Sequence, residues 1–182
     1  MNALVPIANG SDEIESTAII DTLRRVGVEV VVAAVGGQLQ VTMSRGLGVV
    51  GDKLIEDCTG PFDAVVLPGG MPGADNLAAC RPLGELLRQQ NSAGRLIAAI
   101  CASPAVVLKP AGILDGRKAT CYPAFMEQLE PSLALVERVV KDGHVLTSRG
   151  PGTAIEFAVA VARELVGDAM ADEVAEALLL GC

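Results

Sequence analysis

The stretch LIAAICASPAVVL, residues 96–108, sets one cysteine between an apolar run and a segment of helical character. If 95–100 is a strand and Ala102 opens a helix, Cys101 stands on a sharp strand-to-helix turn, a position from which nucleophiles are presented. Its small alanine neighbours let such a turn close and leave the following backbone N–H groups free to face an anion. An isolated thiol titrates at about 8.5, and a helix N-terminus supplies up to ~2 kcal/mol, so the turn predicts a thiol at about 7. A mostly ionised Cys101 needs at least one more hydrogen-bond donor from elsewhere. The competing reading is core packing, because cysteine is among the most buried residue types.

A second candidate is Glu15, in NGSDEIEST. In the first turn of a helix its carboxylate offsets the dipole and closes a capping box with Asp12 or Ser11. Alternatively it projects toward Cys101 and, half-buried, keeps a raised pKa and a proton to donate. LPGGMPGADN carries glycines at 69, 70 and 73 that let backbone approach a ligand closely, with the Gly70 N–H as a donor. It lacks the G-x-G-x-x-G spacing of a dinucleotide site and a Walker lysine. TSRGPGTA brings Arg149 to another helix start, where it either binds an anion or caps the helix.

The sole histidine, His144, has no ligand-spaced partner, so no metal site is predicted, and it is expected to face solvent. Cys58, Cys80, Cys121 and Cys182 lie far apart with no C-x-x-C pair, and they read as free thiols in the core or on the surface.

These residues need a scaffold that brings distant turns together. β-Branched runs alternate with helical patterns, the signature of a mainly parallel sheet covered on both faces. The strands are ALVPIA (3–8), VEVVVAAV (28–35), DAVVLP (63–68), RLIAAI (95–100) and HVLTSR (144–149), nearly continuous apolar runs suited to burial on both sides. Pro6 sits awkwardly in the first, having no N–H for a ladder. Helices are read through Ile19, Ile20, Leu23 and Val26 up to Gly27, from Pro82 to Gly94, from 153 onward, and from about 168 to 180. LQVTMSRGLGVVG adds short strands, and a hairpin is expected around Lys141, Asp142 and Gly143. In open parallel sheets ligands collect at the carboxyl ends of strands, where Cys101, Glu15 and Gly70 all fall.

With 182 residues, 51% of them apolar and 20% charged, the chain reads as one globular domain over 1–182. A net charge of −8 and only three Phe, one Tyr and no Trp argue against a nucleic-acid partner. No apolar run has the length of a membrane span, and the first residues lack the basic region of a signal peptide, so the default expectation is a cytoplasmic protein.

The motifs AAICASP, VVLPGG, GSDEIE and LTSRGPGTA, in this order and spacing, resemble the ThiJ/PfpI superfamily in its parkinsonism-associated deglycase (DJ-one) branch, over essentially the whole chain. The resemblance implies a flavodoxin-like α/β three-layer sandwich, a homodimer, and a reactive cysteine paired with a protonated glutamate, which map onto Cys101 and Glu15. It also implies that amides near Gly70 and Ala102 cradle the oxygen of a bound species. The activity implied is glyoxalase III- or deglycase-like, without cofactor, on small dicarbonyls or glycated proteins. The rival is a redox-sensing stress protein or chaperone whose thiol oxidises to sulfinate.

One departure stands out. Glyoxalase-type members carry a histidine in a T-H-P stretch, whereas here ATCYPAF sets Tyr122 before Pro123 and Cys121 beside it. Tyrosine donates a hydrogen bond but is a poor base at neutral pH, so proton transfer falls to Glu15.

Overall fold

The computed structural model of the chain describes residues 1–181; Cys182, read as a free thiol, lies outside them. The strands are β1 (Asn2–Ala8), β2 (Glu29–Val35), β3 (Gln40–Thr42), β4 (Gly48–Val50), β5 (Lys53–Leu54), β6 (Ala64–Leu67), β7 (Leu96–Ile100), β8 (Val139–Asp142) and β9 (Val145–Ser148). The helices are α1 (Glu13–Arg25), α2 (Gly73–Ala79), α3 (Arg81–Ser92), α4 (Ala154–Val166) and α5 (Asp168–Ala177).

Seven strands form one sheet in the order β5-β2-β1-β6-β7-β9-β8, parallel except for the β8–β9 hairpin. Its central run β2-β1-β6-β7-β9 is the 2-1-3-4-5 order of flavodoxin-like folds. β3 and β4 make a separate antiparallel hairpin.

The apolar runs form strands because both of their faces are covered. In β7, Leu96, Ala98 and Ile100 face one core and Ile97 and Ala99 the other; the same two-residue alternation holds in β6. The first core receives Ile19 and Leu23 of α1, Phe157 and Val161 of α4 and Val174 of α5. The second receives Leu77 of α2, Leu83 and Leu87 of α3, and the segment after Cys101. Phe157 is fully buried, and truncating such a ring to alanine costs about 3–5 kcal/mol.

Pro6 does lie within β1, between two neighbouring strands. The β1–β6 ladder stops at the Leu4–Val65 pair, because Pro6 has no N–H to carry it further.

Three sequence expectations change. The helix expected from Ala102 is a five-residue π-helical segment, Pro104–Leu108, followed by turns. Gly73–Ala79, where the sequence pattern names no helix, forms α2. His144 does not face solvent: it is half-buried and its Nε2 lies 2.7 Å from Asn91 Oδ1, at the turn that opens β9 and so at the edge of the sheet away from Cys101.

Candidate active site

Cys101 follows the last residue of β7 with φ of 64°, in the left-handed region that non-glycine residues rarely enter. Both of its backbone polar groups are tied down. Its N–H donates to Ser148 O at 3.0 Å and its carbonyl accepts from the Tyr122 N–H at 2.8 Å. The buried Ser103 hydroxyl donates to Pro68 O at 2.5 Å and fixes the next turn against the end of β6. Such over-determination holds a strained residue in place.

The two glycines after β6 are required by space. A Cβ on Gly69 would lie 2.6 Å from Cys101 Cβ, and one on Gly70 would lie 2.5 Å from Asp12 N, with Gly70 at φ +86°. Only glycine lets this loop pass between the Cys101 turn and the β1–α1 turn. The Asp12 N–H in turn donates to Gly69 O at 2.9 Å.

Glu15 lies in the first turn of α1, but only its backbone takes part in capping. Asp12 is the N-cap of α1, and its Oδ1 accepts the Glu15 N–H at 3.0 Å. The Glu15 side chain does not return to close a capping box. It is fully buried, its Oε2 accepts the Gly69 N–H at 2.7 Å, and the carboxyl lies close enough to the Cys101 thiol for each to shift the other's proton affinity. Oε1 is buried with no hydrogen-bond partner within the protein. Burial, reinforced by the Asp12 charge, pushes the carboxyl up to about 7.

The thiol departs from expectation. Burial, then the neighbouring Glu15 carboxylate, push Cys101 up to about 12, opposed by hydrogen bonds from the Gly70 and Ala102 N–H groups. The turn does not lower it because Cys101 is only 9% exposed and the helix expected to begin at Ala102 is a single π-helical turn, whose aligned dipole is small. Thiol and carboxyl therefore hold at most one negative charge between them near neutrality. A thiolate arises when the proton passes to Glu15, which removes the opposing charge and turns the carboxyl into a donor.

The structure brings Cys101, Glu15, Gly70 and Ala102 together at one edge of the sheet. Gly69, as the amide that holds the carboxyl, was missed as an individual donor; the paired glycine after an apolar run was the available signal. Tyr122 meets Cys101 through its backbone, while its ring, 43% exposed, packs over Gly150, where a Cβ would lie 3.2 Å from it. Cys121 is fully buried, its Sγ 3.6 Å from Met126 Sδ, and burial raises its thiol to about 11. Cys58 and Cys80 are free. Arg149 does not cap α4, whose N-cap residue Thr153 makes no side-chain bond into the helix; Thr153 Oγ1 instead accepts the Gly150 N–H at 3.1 Å in the turn before it.

This arrangement can be set beside known proteins. The family model described as the DJ-1/PfpI family matches residues 1–164. The chain belongs to the DJ-1/PfpI family. Within it, Protein DJ-1 homolog A of Arabidopsis thaliana is 47% identical over 180 residues, covering 97% of this chain. The chain spans 46% of that relative's length and 41% of that of homolog B. A protein named glutathione-independent glyoxalase DJR-1.2, from Caenorhabditis elegans, is 38% identical over 160 residues, 86% of this chain and 84% of its own. The solved structure described as Toxoplasma gondii DJ-1, oxidized, superposes with a TM-score of 0.98 at 45% identity, covering 100% of this chain and 99% of that one. Among the described residues no helix is long and apolar enough to cross a membrane.

Proposed function

We propose that this DJ-1/PfpI protein is a cofactor-independent cysteine enzyme acting on small reactive dicarbonyls or their protein adducts. The observation that carries the reading is the fully buried Glu15 carboxyl, held by the Gly69 N–H and placed beside the Cys101 thiol, where burial pushes it up to about 7. A relative named as a glyoxalase supports the substrate class.

The chemistry follows from that pair. Glu15 takes the thiol proton as sulfur adds to the aldehyde carbon of methylglyoxal, and the amides of Gly70 and Ala102 hold the new oxyanion, which the carboxyl then protonates to a hemithioacetal. The carboxylate next removes the proton from the carbon bearing sulfur and returns it to the adjacent carbon, giving a thioester. Water releases lactate and restores the thiol, so one dicarbonyl and one water become one hydroxy acid. A group titrating near the working pH suits both directions of this shuttle. Deglycation of an early protein adduct would begin with the same addition. Residues 1–182 acting as one domain, a homodimer and a cytoplasmic location belong to the same reading, and the family resemblance supports them.

The test is lactate formation from methylglyoxal by the wild type and by Cys101→Ala. Loss in the variant is expected, and a Cys101→Ala protein that turns over at the wild-type rate would sink the reading.

A second reading is favoured by the description of the Toxoplasma relative as oxidized. Here peroxide converts Cys101 to sulfenate with release of water, a second peroxide gives sulfinate, and the protonated Glu15 donates to the new oxygen. Mild peroxide should add two oxygens at Cys101 in the wild type and fewer in Glu15→Leu; equal oxidation refutes the pairing.

A further inference from the structure

The two backbone hydrogen bonds that pin Cys101 lead into the two walls of a groove. Ser148, which accepts the Cys101 N–H, runs directly into Arg149, and Tyr122, which donates to the Cys101 carbonyl, runs into Pro123. Between these segments lies an open groove of about 310 Å³, lined by Tyr122, Pro123, Arg138, Arg149, Pro151 and Thr153 among others.

Its two cations differ in what they already hold. Arg138 is occupied, with Nε 2.6 Å from Glu156 Oε2 and Nη2 3.0 Å from Gly152 O. Arg149 forms no ion pair among the described residues; Nη1 reaches Val136 O at 3.4 Å, and Nε is buried with no partner. A guanidinium is always charged and presents a planar fork of donors that matches carboxylate and phosphate oxygens. The chain as a whole is acidic, at −8, and repels anions at long range. An arginine left without a carboxylate in this setting, one residue beyond the strand end that holds the nucleophile, is the place where an anion would be accepted.

We infer that this groove is an anion-recognising subsite, in which Arg149 takes the carboxylate or phosphate of a substrate whose carbonyl is presented to Cys101. The substrate class then narrows from neutral dicarbonyls to small anionic carbonyl compounds. The reaction rests on the cysteine-enzyme reading above, whereas the recognition rests only on the thiol and the groove.

Alkylation of Cys101, read by peptide mass at that residue, separates the two. Iodoacetate and iodoacetamide attack the same sulfur and differ by one negative charge. The iodoacetate-to-iodoacetamide rate ratio at Cys101 is expected to exceed that at Cys80 of the same chain and to fall about tenfold in Arg149→Gln, the scale of one charged hydrogen bond. Arg149→Lys, which keeps the charge without the fork, should fall between. In the wild type, acetate and inorganic phosphate should each slow iodoacetate in preference to iodoacetamide, and whichever does so at lower concentration identifies the group recognised. An unchanged ratio in Arg149→Gln, or indifference of the wild type to both anions, overturns the subsite even where methylglyoxal is turned over normally. A lost ratio in a protein inert toward dicarbonyls upholds the subsite and overturns the catalytic reading instead.

Discussion

The Gly69 N–H donates to Glu15 Oε2 at 2.7 Å across 54 positions of sequence. That bond ties the loop after β6 to the first turn of α1 and aims the carboxyl at Cys101. Because Gly69 also lies against the Cys101 Cβ, the geometry of acid and nucleophile is set by one backbone amide and one missing side chain.

Gly69→Ala should therefore damage both stability and reactivity. A Cβ 2.6 Å from Cys101 Cβ and 2.9 Å from Ile100 O has rigid neighbours, and overpacking of this kind costs about 1–3 kcal/mol. Urea unfolding should show the loss, and iodoacetamide labelling of Cys101 should slow. A variant matching the wild type in both would contradict the role given to Gly69.

Glu15→Gln should change how stability depends on pH. The folded carboxyl titrates at about 7 against 4.5 ordinarily, so the proton it holds stabilises the fold fully below 4.5. That contribution, about 3 kcal/mol, is lost as pH rises through 7. The difference in melting temperature between Glu15→Gln and wild type should move in favour of the variant by roughly 6–12 °C between pH 4.5 and pH 8.5. A difference independent of pH would mean that Glu15 titrates normally.

The same substitution should displace the reactivity of Cys101. In the wild type the pair loses its first proton near pH 7, and the thiolate forms by transfer to Glu15, so labelling should rise with a midpoint near 7. Glutamine cannot take the proton, and the buried thiol must then ionise to solvent. The midpoint is expected to move upward by about one unit or more. A midpoint that stays in place would remove Glu15 from the proton path.

Asp12→Asn isolates charge from capping. Asparagine caps a helix about as well as aspartate, so stability should change by a few tenths of a kcal/mol at most. The Asp12 charge, however, helps to hold Glu15 high, and its removal should bring the wild-type labelling midpoint below 7. An unmoved midpoint would assign the whole of the Glu15 shift to burial.

Much of this was legible in the residues themselves. Continuous apolar runs located β1, β2, β6, β7 and β9 because burial on both faces leaves no polar alternation to misread. Cys101, Glu15 and Gly70 could be placed at one sheet edge because in a parallel sheet every strand ends on the same side. What the sequence hid depends on distance. The thiol's direction of shift was read from a local dipole, and burial with a carboxylate brought in from residue 15 reversed it. The helix expected after Cys101 became a π-helical turn, since PAVVL carries no signal of the hydrogen-bond spacing it adopts. The occupied state of Arg138 and the unoccupied one of Arg149 were equally invisible, as both turn on partners met only in the fold.

The bond from the Cys101 N–H to Ser148 O reaches the end of the strand placed next to β7, but formed by residues synthesised more than forty positions later. Until β9 lies beside β7 the Cys101 N–H has no Ser148 carbonyl to meet, so the elbow is completed only by long-range closure of the sheet, and a peptide cut from around the cysteine cannot carry it.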